Sequence, residues 1–254
     1  MIKDKVRVKN LSIGYDNNIL IKNADFVIKE RDVFIIMGAS GCGKSTLLKV
    51  LIGLMKPHKG QIFIDGINYI QAQEKDKIEI MKKIGVLYQS GGLFSSMTLE
   101  ENIALPLQRY TLYSEKNIKD LVSLKLALVG LAGYNDYYPS EISGGMKKRA
   151  GLARALSLDP EIVYFDEPTA GLDPLTSAKI DELILNINQN LKTTLVLVTH
   201  ELSSIFSIGS NSVFIDAQAK SIIAKGRPTD LLRNPPNETV FNFLTRGRRN
   251  EKNP

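Results

Sequence analysis

One cysteine, two histidines and no long apolar run are the scarcities of this 254-residue chain. A lone thiol excludes an internal disulfide and a cysteine-built metal cage. Crossing a bilayer takes roughly 20 consecutive apolar residues. Runs such as 33–37 and 195–198 are only strand-length. Behind Met1-Ile2-Lys3-Asp4-Lys5 there is no apolar signal core, so a cytoplasmic location is expected. No basic–aromatic stripe appears, so nucleic acid is not an expected partner. Internal repeats and low-complexity linkers are also missing. What remains is 43% apolar and 24% charged, a size and balance suiting one large domain or a core with inserted lobes. The net charge of +6 sits partly in a polar end, Arg246, Arg248, Arg249 and Lys252. The rest fits a phosphate site, an acidic partner surface or anionic lipid.

The pattern along the chain is that of strands alternating with helices. Val6 and Val8 alternate with Lys5, Arg7 and Lys9, the period of a half-buried strand. Asp16-Asn17-Asn18 marks a hairpin turn, and 62–66 reads as a further hairpin strand. Residues 33–37 are continuously apolar, as in a strand buried on both faces, and lead through a glycine loop into a helix from Ser45 to about Leu54. Helical character over 90–133 predicts an inserted lobe. The core resumes at 162–165, with a helix over 174–191, a strand over 194–198 and a closing strand pair at 213–215 and 222–223. Such alternation predicts a largely parallel sheet.

Two glycine-led segments stand where helices begin. Gly38-Ala39-Ser40-Gly41-Cys42-Gly43-Lys44-Ser45-Thr46 matches the phosphate-cradling pattern G-x-x-x-x-G-K-[ST] in its strand–loop–helix context. There the backbone N–H groups are expected to wrap phosphates, Lys44 to reach the outer ones and Ser45 to ligate magnesium. About a hundred residues on, Ser143-Gly144-Gly145-Met146-Lys147-Lys148-Arg149 opens a second helix, again with free N–H groups and the positive dipole end outward. Ile162-Val163-Tyr164-Phe165-Asp166-Glu167 ends an apolar strand in two carboxylates. Asp166 suits the magnesium or its water shell, and Glu167 suits polarising an attacking water. His200 follows another strand and fits sensing the terminal phosphate or steadying the attacking water; His58, in a turn, reads as merely exposed. Cys42, at a helix N-terminus, is either a reactive thiol or a small packed residue.

Together these segments resemble the ATP-binding subunit of an ABC transporter over nearly the whole chain. Residues 38–46 resemble its Walker A loop, 162–167 its Walker B strand and Ile142-Ser143-Gly144-Gly145-Met146 its signature. Gln89 resembles the Q-loop glutamine and a further magnesium ligand. Gly171-Leu172-Asp173 resembles the D-loop, and His200 the switch histidine. Tyr15 stands where the family has an aromatic that stacks on adenine, or is simply a turn tyrosine. The resemblance implies an α/β P-loop NTPase (RecA-like) core with a mostly parallel sheet, an N-terminal antiparallel β lobe and an inserted helical lobe. It implies one domain over 1–240, with that lobe at about 90–158, and a tail over 241–254. ATP and Mg2+ are the implied cofactors. The implied partners are a second copy of the chain, each ATP lying between one Walker A loop and the other copy's Ser143, Gly144 and Gly145, and a membrane permease.

Met146 departs from the commonest signature, which has Gln there. With the stretches 88–98 and 199–206 it resembles the ATPases of Mla and Mce-associated lipid transporters. That implies phospholipid transport from the cytoplasmic side of the inner membrane, with a periplasmic Mce-type lipid-binding protein reached through the permease. The alternatives are another ABC system, an importer or a cell-division ATPase, or a soluble ABC protein acting on nucleic acid. The last would need a long coiled-coil insertion, for which 46–143 is too short. A small GTPase is disfavoured because no Asn-Lys-x-Asp motif occurs. Leu93, Phe94 and Met97 read either as a groove for a permease helix or as lobe core. Val240, Phe241, Phe243 and Leu244 at helical spacing predict docking, in their own subunit or across a dimer.

Overall fold

The computed structural model describes residues 3–247, so Arg248, Arg249 and Lys252 lie outside the described residues. The chain divides into two compact units, Gln73–Leu195 forming the second and the flanking segments the first. Among the described residues no helix is long and apolar enough to cross a membrane.

The first unit starts with β1 (Asp4–Tyr15) and β2 (Asn18–Lys29), an antiparallel hairpin turned at Asp16. Val6 and Val8 are buried as the alternation predicts, but so is Lys5, whose ammonium meets Asp65 at 2.7 Å, and the ladder shifts register near Asn10 and Asn23, both left-handed. Asparagine tolerates that conformation, and such bulges add twist. β3 (Val33–Gly38) is buried along its whole length and feeds α1 (Lys44–Leu51). The helix therefore starts one residue earlier than expected and ends sooner, because Gly53 takes φ 77° under the Tyr69 hydroxyl. β4 (Lys59–Ile64) pairs with the free side of β1, and β5 (Ile67–Asn68) returns through Asp65-Gly66. Both turn residues have positive φ, the requirement of a two-residue hairpin loop of this type. The resulting sheet has the order β2-β1-β4-β5.

The second unit opens with two elements absent from the sequence reading, α2 (Glu74–Lys82) and β6 (Ile84–Leu87). Their signals are weak for physical reasons. α2 is dominated by charge and buries only Ile80, while β6 is four residues long and includes Gly85. That glycine is required, since a Cβ there would lie 2.3 Å from the Ala155 carbonyl oxygen. Next come α3 (Leu99–Tyr110), α4 (Glu115–Leu128), a 3-10 turn at Pro139–Glu141 and α5 (Gly144–Ala155). α3 begins in a capping box between Thr98 and Glu101. β7 (Ile162–Asp166), parallel to β6, is followed by α6 (Pro174–Leu191), with proline at its tolerant first turn. The unit ends within β8 (Thr194–Val198), whose first two residues extend the order β8-β7-β6.

The rest of β8 belongs to the first unit, which ends with α7 (Leu202–Ile208), β9 (Asn211–Asp216), β10 (Ser221–Gly226), α8 (Pro228–Arg233) and α9 (Glu238–Thr245). Here the order is β10-β9-β3-β8, with β9 parallel to β3 and β10 antiparallel to β9. α9 runs across position 240/241 and docks in its own chain. Val240 and Leu244 are buried, and Phe243 meets Phe214 edge-on at 5.0 Å.

Candidate nucleotide site

Tyr15, the loop 38–46 and His200 belong to the first unit. Gln89, Ser143, Gly144, Gly145, Asp166, Glu167 and Asp173 belong to the second. Each set is built by its own local physics.

In the first unit the buried β3 ends abruptly in three positive-φ glycines, Gly38 (151°), Gly41 (77°) and Gly43 (100°). Side chains are excluded at Gly38, where a Cβ would sit 2.3 Å from the Ile215 carbonyl oxygen and 2.8 Å from the Cys42 sulfur. Gly43 is the left-handed N-cap of α1, with no side chain capping the first turn. With the positive end of α1 behind it, this backbone cradle fits a phosphate chain. Lys44 is buried and donates from Nζ to the Gly38 and Ala39 carbonyls at 2.9 Å each, so its ammonium already lies along the loop. Ser45 is exposed at the same helix start. The Thr46 hydroxyl donates to the Tyr15 oxygen at 3.5 Å, which lowers the Tyr15 pKa and brings this half-exposed ring to the loop's helix. Exposed His200 follows Thr199, whose N–H bonds the Ile36 carbonyl of β3, and its Nε2 lies 3.8 Å from Glu201.

Of the two readings of Cys42, its surroundings favour the small packed residue. Its thiol is 2% exposed beneath Gly38, and burial pushes its pKa up against the opposing pull of Lys44. Desolvation outweighs the neighbouring ammonium and backbone N–H groups, which favours a packed thiol over a reactive one.

In the second unit Asp166 and Glu167 stand at the end of apolar β7, both partly exposed. Glu167 has φ 50°, and its carbonyl accepts the Ala170 N–H at 3.2 Å. The Asp173 carboxylate caps α6 by accepting the Thr176 N–H at 3.0 Å, and the Thr176 side chain first, then this backbone bond, lowers its pKa. Ser143 is the N-cap of α5, its Oγ accepting the Met146 N–H at 3.3 Å. Gly145 has an ordinary φ but no room, since a Cβ would meet the Thr176 methyl at 2.7 Å. Gln89 is exposed, in the loop after β6. Phe94 is 47% exposed and is not lobe core, while Leu93 and Met97 are half-buried.

Two side chains with no role in the sequence reading organise this unit. Buried Asn102 holds the loop ahead of it, accepting the Phe94 N–H and donating to the carbonyls of Phe94, Met97 and Thr98. Lys148, one of three successive basic residues, is buried and bonds the Gln89 and Glu167 carbonyls. The available signal was Gly151, a glycine inside a helix three residues on, which marks a close approach.

A family model described as ABC transporter matches residues 21–170. A "Probable ribonucleotide transport ATP-binding protein mkl" of Mycobacterium tuberculosis is 41% identical over 96% of this chain and 67% of its own length. An "Intermembrane phospholipid transport system ATP-binding protein MlaF" of Haemophilus influenzae is 37% identical over 92% of this chain and 88% of its own. Among solved structures, the ATP-binding cassette MJ0796, a dimer bound to ADP and Pi, superposes with a TM-score of 0.79 at 30% identity, covering 87% of this chain and 98% of that one.

Proposed function

This chain belongs to the ABC transporter ATP-binding family, an ATPase coupled to transport, and from that premise we propose that it works as a homodimer on a phospholipid-moving permease, at the cytoplasmic side of the inner membrane. The observation that carries the dimer is the contrast between its two helix starts. The glycines of 38–46 open a cradle, whereas Ser143 caps its own helix and leaves Gly144 exposed beside it, as a cover for another copy's nucleotide.

In this reading the N–H groups of 39–46 hold the phosphates, Lys44 turns its ammonium to the outer ones and Tyr15 lies against the adenine. Ser45, Asp166 and Gln89 offer the hydroxyl, carboxylate and amide oxygens that suit Mg2+. The bound ion would neutralise charge on the phosphates. Glu167 accepts a proton from the attacking water, His200 steadies the terminal phosphate, and Asp173 orders the dimer-facing turn. Catalysis is then mainly positioning and electrostatics, and loss of the terminal phosphate removes the bridge that keeps the dimer closed. Residues 90–158 serve as the helical lobe that meets the permease, with Phe94 on its exposed edge.

The lipid assignment rests on the likeness to MlaF and on Met146 in the signature. A second reading, transport of a small polar solute, is favoured by the likeness to mkl. Purifying the chain with its membrane partners and reconstituting them separates the two. ATP-dependent transfer of a fluorescent phospholipid between membranes is expected. No transfer, with hydrolysis stimulated instead by a ribonucleotide, would overturn the lipid reading.

A further inference from the structure

One face of α5 is fastened to the segment 88–94 at three successive points. Lys148 Nζ donates to the Gln89 carbonyl. Gly151 packs so closely that a Cβ there would lie 2.1 Å from the Gly91 oxygen. Arg154 donates to the Gly92 carbonyl at 2.7 Å, and its guanidinium lies 5.1 Å over the Phe94 ring. Two of these contacts are packing and tethering. Lys148 differs because it has a second acceptor, the Glu167 carbonyl at 3.1 Å.

Lys148 is 6% exposed, so its ammonium has left water and is met by backbone oxygens. Burial pushes its pKa down, while Glu167 and Asp166 pull it back up. Its partner has an unusual backbone at the strand end. Glu167 sits at φ 50°, a backbone conformation uncommon for a residue that carries a side chain. Such a conformation persists only where neighbours over-determine it. Here the Glu167 carbonyl receives both Lys148 Nζ and the Ala170 N–H.

We propose that Lys148 is a positioning residue for hydrolysis: one buried ammonium holds the carbonyls of Gln89 and Glu167, and so sets the directions in which both side chains meet the terminal phosphate and its water. This rests on the reading of Glu167 as the general base. A purely structural lysine would affect folding or nucleotide affinity; a positioning lysine affects the chemical step.

The test uses the full chain at concentrations that support dimers, with ATP affinity, KM and single-turnover hydrolysis measured for Lys148→Met. The expected result is a kcat lower by about 10- to 100-fold, the cost of a small misplacement at a reacting centre, with ATP affinity and KM within about twofold. In a Glu167→Gln background the same substitution should add less than about twofold, because groups acting as a unit are not additive. Wild-type turnover in Lys148→Met, or an undiminished loss in the double variant, overturns the proposal. If Lys148→Met fails to bind nucleotide, Lys148→Gln, which keeps a neutral donor, is put through the same comparison with the same two outcomes. Should Glu167→Gln hydrolyse ATP normally, the general-base reading falls and this one with it. Should Glu167→Gln be slow while the Lys148 variants are normal, only this one falls.

Discussion

The two glycine-led helix starts look alike as strings of residues and are built on opposite principles. At 38–46 the glycines are there for backbone conformation: all three have positive φ, and the helix N-cap carries no side-chain bond. At 143–145 the glycines have ordinary backbone angles, and Gly145 is there for space, against Thr176. Ser143 Oγ already satisfies one N–H of its own helix. The first start is a backbone cradle with no side-chain cap; the second is capped by its own serine, with Gly144 exposed beside it. Glycine therefore means a cradle in one place and a close fit in the other.

The largest expected effect separates binding from chemistry. Glu167→Gln should slow hydrolysis by roughly 10²–10⁴-fold, the range for a positioned base, with ATP binding intact and an ATP-bound dimer accumulating. A monomer by light scattering at saturating ATP would break the dimer reading. Lys44→Ala tests the cradle. Losing charge-assisted bonds worth about 1.5–3 kcal/mol should weaken ATP binding roughly 10- to 150-fold, and normal affinity by calorimetry would remove Lys44 from its assigned role.

The close fit at the second start has a sharper test. Gly145→Ala should cost about 1–3 kcal/mol in urea unfolding, as overpacking does, and Thr176→Ser in the same chain should recover most of it by removing the opposing methyl. No recovery would mean that this contact is not what excludes a side chain. Ser143→Ala should lose about 1 kcal/mol of stability through its cap alone. If dimer formation with ATP survives unchanged, Ser143 is only a cap. The smallest effect concerns Cys42, which should resist maleimide in the native chain and react on unfolding. Rapid native labelling would contradict its burial.

Legibility followed signal strength. The buried run before Gly38, the helix Pro174–Leu191 and the strand Thr194–Val198 were readable because long apolar runs, proline at a first turn and a following β-rich run all agree locally. α2 and β6 were not, because a charged helix burying one residue and a four-residue strand with a glycine carry little periodicity. The candidate residues were legible wherever a motif fixes their spacing. Lys148 was visible only as one of three basic residues, since what singles it out is the burial of its ammonium against carbonyls 59 and 19 residues away in the chain.

By itself the sequence determined the elements whose signals are local: the glycine loop between strand and helix, the serine before two glycines and the acidic pair ending an apolar strand. It also carried the resemblance from which the family follows. Only the tertiary structure decided that Cys42 is sealed beneath Gly38, that α9 docks in its own chain and that Lys148 joins the loop after β6 to the end of β7. Those outcomes depend on which groups are desolvated and which carbonyls lie within reach, and both are set by chain segments far apart in sequence.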